Sequence, residues 1–546
     1  MGDLSMAKKF ISIALIVCST ALFAGAQDEP PTLKLTLHEC AEVALGRNLS
    51  LKIERFNVDI ASTLIEEERS VFDHVFFAGV ERQDMEAPNT NPLTGGSFGQ
   101  QGTPGNDPVL IDLLTDSRMT LSEFMNYFDF FDRLSSSGDV KITEYSEEHN
   151  LAQTGISKRF SWGTQYQLEL DVDRHETSSA LEGLNPAADT SLRLLITQPL
   201  LKNFGPDANL VSVRLAENNR EISKTDLRAR ILQIMGSVVE AYWMMIFRQE
   251  QLDIQKESLQ LAVDLLKNNT ARVEAGVMAP IEILSASSGV ASRQEGVIVA
   301  RNALEDAEDN LKRVLELRDG TELWNIHVVP AERPLYLPTS VDLDSSLDTA
   351  HENLPVLKTL ALSIENADLT VKAARNQLRP QLDLSVGAWT SGLEDHADES
   401  LDLMKDGDFT SYTVGLTLTY PLGNRGARAR MQRSELRAQA ARANLEDQLR
   451  EVDLQVRAAV RQIETNQQRV DATTVAVDLA KERLRAEEEA LDVGLSTSHD
   501  VLDYQEDLTI ARGSYTQSVI DHILSIADLE LSKGTLTEWL GFKVEE

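Results

Sequence analysis

The hydrophobic pattern of the chain changes period in a repeated order. From Ser411 to Tyr420 it alternates, with Val414, Leu416, Leu418 and Tyr420 on one face and Thr413, Gly415, Thr417 and Thr419 on the other. A period of two predicts a strand with one apolar and one polar side. Pro421 ends it, because proline has no N–H to give to a ladder. Directly afterwards, Ala427 to Val493 contains neither Gly nor Pro and is dense in Ala, Leu, Arg, Gln and Glu. Those are the strong helix formers, so the stretch predicts a single helix. At about 1.5 Å per residue it reaches on the order of 100 Å. A strand that runs straight into such a rod suggests a sheet in one medium and a helix in another.

The rest of the chain repeats these elements. Thr164 to Arg174 alternates strongly, with Tyr166, Leu168, Leu170 and Val172 facing one way and Gln165, Gln167, Glu169, Asp171 and Asp173 the other. Thr190 to Leu200, which carries Pro199, and Gln381 to Trp389 are further strands. Val71 to Glu81 is strand-like, and Leu151 to Phe160 alternates poorly. Leu37 to Ser70 and Leu343 to Gln377 are amphipathic helices. Asn209 to Glu274 is a second rod, interrupted only by Gly236, and after a turn at Ala275 to Pro280 a helix returns from Ile281 to Leu317. The last rod likewise turns at Gly494 and returns as Ser498 to Ser532. Met85 to Pro108 and Ser391 to Asp408 read as loops, the second acidic. Val109 to Leu134 has helical spacing and many aromatics, as in a cap or lid.

Laid side by side, the halves match. Ala44, Asn48, Leu49 and Lys52 are echoed by Ala350, Asn353, Leu354 and Lys358, and Gln198-Pro199-Leu200 by Tyr420-Pro421-Leu422. Pro199 to Gly276 spans about 77 residues and Pro421 to Gly494 about 73, equal within about one helical turn. The first half carries about 83 extra residues in its strand-forming part. The fold class is therefore α+β with an internal two-fold repeat. The expected organisation is a signal peptide over 1–26, a first repeat over 27–340 and a second over 341–546. The first repeat holds an insertion at about 85–160, a long helical hairpin over 206–317 and a connector over 318–340. The second holds a strand hairpin over 381–422 and a helical hairpin over 424–533.

Composition and charge narrow the partners. A formal net charge of -35 argues against nucleic acid, whose phosphates need clustered Lys and Arg. Lys8 and Lys9, the apolar run from Phe10 to Phe23 and Ala24-Gly25-Ala26 have the layout of a secretory leader. A lipoprotein leader ending at Cys18 fits less well, because Val17 stands where a small residue is expected. Beyond the leader, no run of about 20 apolar residues could make a spanning helix, so any membrane passage falls to strands. Alternation then puts Leu and Val toward lipid and Gln, Glu and Asp toward a wet lumen. An open sheet edge is forbidden in lipid. With four convincing strands and two weaker ones, one chain cannot close a barrel, and cyclic assembly is expected.

On these residues the chain resembles the TolC-like outer-membrane efflux protein family, from about Leu35 to Thr537. The stretches that carry the likeness are Leu35-Thr36-Leu37 with Ala44-Leu45 and Asn48-Leu49, Gln198-Pro199-Leu200-Leu201, and Asn353-Leu354-Pro355 with Leu378-Arg379-Pro380-Gln381-Leu382. The resemblance implies a homotrimer whose three protomers build one 12-stranded outer-membrane β-barrel, continued by a long α-helical barrel across the periplasm. It implies an exit duct for small molecules or secreted polypeptides, working with a periplasmic adaptor (membrane fusion) protein and an inner-membrane efflux pump or secretion ATPase.

The resemblance also implies roles for single residues. The glycine turns, at Gly276 and Val277 and at Gly494 and Leu495, would dock the adaptor. Asp500, Asp503 and Glu282 would form acidic rings that narrow the periplasmic tip. A plain helix-to-helix turn would also use glycine, and Asp500 could instead cap its helix. Leu491 and Ser496 stand where some members have a Tyr and an Arg that lock the tip. Pro199 and Pro421 mark the strand-to-helix junctions. The extra residues of the first half read best as an external hairpin and lid, the alternative being two further wall strands per chain and about 18 in the barrel.

Covalent chemistry is not indicated. Gly95-Gly96-Ser97-Phe98-Gly99 matches G-x-S-x-G but lacks the strand before it and the helix after it. The nine histidines show no metal-ligand spacing such as H-E-x-x-H, and there is no phosphate loop. No cofactor is expected. From another class, a periplasmic coiled-coil adaptor or scaffold without a pore would explain the rods and the leader, but not the alternating strands.

Overall fold

The structure is a computed structural model that describes residues 32–89, 143–178, 182–317 and 326–542. The leader, the Ser97 motif, the aromatic segment Val109 to Leu134 and part of the connector lie outside the described residues. In chain order the elements are β1 (Thr32–Leu35), α1 (Leu37–Arg47), α2 (Leu49–Ser70), β2 (His74–Asn89), β3 (Thr143–Arg159), β4 (Gln165–Thr177) and β5 (Ala187–Pro199). Then come α3 (Pro206–Asn209), α4 (Val211–Glu274), α5 (Ile281–Val314), β6 (His327–Pro330), α6 (Leu343–Asn353) and α7 (Pro355–Asn376). Last are β7 (Gln381–Glu394), α8 (Ala397–Asp406), β8 (Thr410–Thr419), α9 (Arg425–Asp492), α10 (Ser498–Ser532) and α11 (Leu536–Trp539). They fall into two compact units, one of residues 61–219 and 363–441 and the other of residues 1–60, 220–362 and 442–546.

The duplication is visible element by element. Helices of 11 and 22 residues open each half, and rods of 64 and 68 residues return as helices of 34 and 35. The amphipathic segments are each two helices where the hydrophobic pattern predicts one. Asn48 is extended (φ -62, ψ 119) and its Oδ1 accepts from Leu51 N–H at 3.2 Å, so it closes α1 and caps α2. Leu354 makes the same break, because the residue before a proline avoids the helical region. A polar cap and a prolyl neighbour interrupt the backbone without disturbing the apolar period.

The first unit is built on one antiparallel sheet in the order β2-β3-β4-β5-β7-β8. The expected external hairpin is therefore corrected, since β3 and β4 lie within this sheet, between β2 and β5. β3 alternates poorly because its side chains on the face of Ile156 include Ala152 and Thr154. As an interior strand it is held by ladders to both neighbours, which need no side-chain contrast. The sheet has two unlike faces. One row of directly opposed residues runs Phe76, Ile156, Leu168, Leu194, Ala388 and Tyr412 across all six strands. The row on the other face, one residue on in β4, runs Phe77, Gly155, Glu169, Arg193, Trp389 and Ser411. The apolar face is uncovered: Phe76 is 70% exposed, Val80 88% and Leu416 65%.

The expected acidic loop contains a helix, α8. Its Asp398 and Glu399 lie in the first turn, Lys405 in the last and Gly407 in the left-handed cap, each matched to the helix dipole or end. Buried Ser400 donates to Gly392 O at 2.7 Å. A Cβ at Gly392 would stand 2.1 Å from the Ser400 carbonyl oxygen, so only glycine lets α8 approach β7.

In the second unit, α9 buries Val456, Ile463, Val470, Val477, Leu484 and Leu491, a seven-residue repeat of the kind that supercoils helices left-handedly. β1 pairs in parallel with β6, joining the start of the first repeat to the connector that precedes the second. Fully buried Tyr242 of α4 secures this join, donating to Leu35 O at 3.2 Å and accepting from Glu332 N–H at 3.4 Å. β6 is also held by Glu308 of α5. The Glu308 carboxylate lies 2.8 Å from Lys312 Nζ and 3.0 Å from His327 Nδ1, and it accepts the Val328 N–H at 3.0 Å. Cys40 is buried nearby, where burial and then the charges of Glu39 and Glu332 push its thiol up to about 12. No described helix is long and apolar enough to cross a membrane.

Candidate functional site

Two kinds of place repeat in both halves: the strand-to-helix junction and the turn at the far end of each rod. At the first junction Pro199 is the last residue of β5, and beyond it Leu200 N–H still donates to Leu382 O at 2.7 Å. Pro421 stands two residues beyond the end of β8. Each junction then passes through an asparagine with positive φ, Asn203 at 62° and Asn424 at 41°. Asn is one of the few side chains that tolerate this region. Asn203 N–H donates to Asn376 Oδ1 at 2.8 Å and its Oδ1 accepts from Gln377 Nε2 at 2.8 Å, while Asn424 Nδ2 donates to Leu378 O at 3.2 Å. The chain is thereby turned from ladder to helix by side-chain bonds to the end of α7. The two prolines are legible in the sequence; the two asparagines are not singled out there, although each follows its proline by three or four residues.

The turns are a matched pair. Gly276 has φ +71 and Gly494 φ +79. Val277 N–H donates to Arg272 O at 3.0 Å and Leu495 N–H to Ala490 O at 2.9 Å. These are six-to-one bonds that close α4 and α9 around a left-handed glycine. Nothing lies within 4 Å of where a Cβ would stand at either glycine, so backbone conformation and not crowding demands them. The next residues point outward, Val277 at 77% and Leu495 at 85% exposure. Between the turns is a groove of about 530 Å³, lined by Val277, Met278, Glu282, Asp492 and Gly494 among others. Arg272 ties its sides together, donating to Leu491 O at 3.3 Å and pairing with Asp492.

The three tip acids are not equivalent. Asp500 belongs to a capping box: its carboxylate accepts from Thr497 Oγ1 at 2.6 Å and from Thr497 N–H at 3.2 Å, while Thr497 caps Asp500 N–H. These bonds from Thr497 hold its carboxyl below the usual carboxylate range, so it stays ionised. Glu282 reaches across to accept from Ser498 N–H at 3.0 Å and so satisfies the start of α10. Asn269 is buried beside it and donates to Ser498 Oγ at 2.7 Å. Asp503 is 64% exposed, with His499 Nδ1 3.7 Å from its carboxylate, and its charge also acts on the Arg293 guanidinium. Leu491 is buried in the helix packing, and Ser496 bonds Glu487.

Comparison with known proteins adds four findings. The family pattern of the outer membrane efflux proteins matches residues 167–316 and 346–517, which take in the two rods and β4, β5, β7 and β8 but not β2 or β3. The chain is 24% identical over 414 residues to the outer membrane protein TolC of Vibrio cholerae, covering 74% of this chain and 93% of that one. It is also 24% identical over 322 residues to the alkaline protease secretion protein AprF of Pseudomonas aeruginosa, covering 58% and 64%. The fold is similar to that of the CmeC outer membrane channel of Campylobacter jejuni, with a TM-score of 0.60 at 14% identity over 94% of this chain and 91% of that one.

Proposed function

Because the chain belongs to the outer membrane efflux protein family, we propose a working scheme in which it is the outer-membrane exit duct for efflux or secretion and a partner supplies the energy. The observation that carries this reading is the two-faced sheet, whose apolar face lies uncovered across six strands. In water such a face would aggregate; in lipid it is the wall of a barrel. The protein is a conduit of the outer membrane, with its helical part in the periplasm, and not a pore-less adaptor.

Sheet edges β2 and β8 each need a neighbour, since lipid offers no partner for an open ladder. Three copies close the ring with about 18 strands, where a four-stranded contribution would give about 12. A ring of that size leaves an aqueous lumen and does not fill with side chains. Exposed Leu454, Val475 and Leu479 on α9 are apolar positions that neighbouring copies would cover.

Asp503 is the tip acid whose carboxylate is left for the lumen, with Asp500 and Glu282 holding α10 in place behind it. In planar bilayers the detergent-extracted protein is expected to form passive pores that prefer cations. Asp503→Ala should reduce that preference without changing assembly. A protein that remains water-soluble and conducts nothing would remove the duct reading, and unchanged selectivity would remove Asp503 from the gate.

The glycine turns present Val277 and Leu495 to a periplasmic adaptor, which in turn engages an inner-membrane pump or secretion ATPase. Val277→Asp with Leu495→Asp should weaken that engagement at least ~30-fold, as loss of an interface anchor does. Cells carrying the double variant should become as sensitive to exported toxic compounds as cells lacking the protein, while its bilayer conductance is retained. Full resistance in those cells would place docking elsewhere.

A further inference from the structure

His149 on β3 and His175 on β4 are directly opposed in the ladder, and Asp173 lies two residues before His175 on the same polar face. One donor atom from each lies within 4.8 Å of the other two. The sequence hides the group, because 24 residues and a turn separate its first member from the others. Two features set it apart from an ordinary polar cluster. Asp173 Oδ1 and His175 Nδ1 are both buried and have no hydrogen-bond partner among the described residues, although a buried polar atom left unpaired is costly. The ring of His149 is gripped on both sides, with Nδ1 2.9 Å from Asp173 Oδ2 and Nε2 2.9 Å from Glu147 Oε1.

We propose that His149, Asp173 and His175 form a binding site for a divalent transition metal of the zinc class on the luminal wall of the barrel. His175 Nδ1 and Asp173 Oδ1 are the idle donors. His149 completes the set through Nδ1, while its Nε2–H donates to Glu147. That is the carboxylate–histidine–metal arrangement that fixes a ligating ring and raises its basicity. Two imidazoles and one carboxylate suit zinc better than the hard cations calcium and magnesium, which take all-oxygen cages. Tetrahedral donors at zinc stand about 3.4 Å apart, so the side chains need to close by about an ångström, within reach of their torsions. Asp171 and Asp189 share this face, Asp189 opposite Asp173, and their charge adds to the attraction for a cation. The remaining coordination position faces the lumen and is left to water. The bound ion ties β3, which the family pattern does not cover, to β4, where that pattern begins.

The site itself rests on residues within one sheet, and only its luminal placement rests on the duct reading. The test uses full-length protein in detergent, stripped with chelator and titrated with Zn²⁺, then with Co²⁺ as a spectroscopic substitute. One ion per chain is expected, with Co²⁺ giving the intense visible bands of a low-coordinate site. Glu147→Gln should weaken binding ~10–100-fold, and His175→Ala should weaken it further, while His74→Gln on β2 changes nothing. In the unaltered protein, Zn²⁺ should protect His149 and His175 from diethyl pyrocarbonate, read by mass spectrometry, which needs no folded variant. Absence of stoichiometric binding, equal affinity in His175→Ala, or labelling of both histidines regardless of zinc would each overturn the site. None of those results would bear on bilayer conductance.

Discussion

Glu308→Ala is expected to destabilise the helical unit by about 3–5 kcal/mol, the usual cost of removing one partner from a buried ion pair. Glu308 and Lys312 are both nearly buried, with side chains 9% and 6% exposed. Truncation would take the Glu308 carboxylate away from the buried ammonium and leave the Val328 N–H without this acceptor. β6 would lose a clamp to α5, and β1 would lose part of its support. Chemical unfolding followed by circular dichroism measures the loss, and a change under about 1 kcal/mol would show the pair to be no better than a surface bridge. The pH dependence has a definite sign. Burial pushes the Glu308 carboxyl up, but hydrogen bonds from Lys312, His327 and the Val328 N–H outweigh it and hold it below its ordinary value. A depressed carboxyl binds fewer protons folded than unfolded. Its contribution is therefore complete above the ordinary glutamate range near 4.5 and is lost as pH falls through the lower folded value. Glu308→Gln should flatten that acid limb while leaving the neutral region lower and level.

Leu170→Arg is expected to cost about 2–4 kcal/mol in every copy if its face meets the middle of a bilayer. In a closed assembly the cost repeats around the ring, so assembled protein in the outer membrane should nearly vanish. Gln167→Arg, three residues away on the same strand but on the polar face, should assemble normally and change only conductance or ion preference. The pair separates a sheet with one apolar and one wet face from a sheet covered on both sides, in which both substitutions would be costly. Normal yield of Leu170→Arg would overturn the assignment of the faces.

Much of this architecture is legible without coordinates, because it is written in short periods. Alternation marks β4 and β8, the long Gly- and Pro-free stretch marks α9, and paired motifs around Pro199 and Pro421 reveal the duplication. Each signal depends on neighbours within a few residues of each other, as local backbone geometry does. Gly276 and Gly494 are legible too, since a helix that must stop and reverse uses a left-handed residue. Where local pattern is weak, the reading fails for a physical reason. β3 carries small and polar side chains, so nothing in its own stretch shows that ladders from β2 and β4 hold it in the wall. α8 sits in an acidic run that resembles a loop, and its partner is a glycine surface on β7. Asn48 and Leu354 break their helices by capping and by a following proline, which leave the apolar stripe intact.

The sequence by itself thus determined the element types, the two-fold repeat, the two-sided strands and the turns at the rod ends. Only the tertiary structure decided that six strands share one sheet, that Asp500 and Glu282 are committed to starting α10, and that His149, Asp173 and His175 meet. Those outcomes depend on cross-strand register and helix docking between residues far apart in the chain. Such contacts are fixed by closing long loops around a common core, and periodicity carries no information about which distant residues that closure brings together.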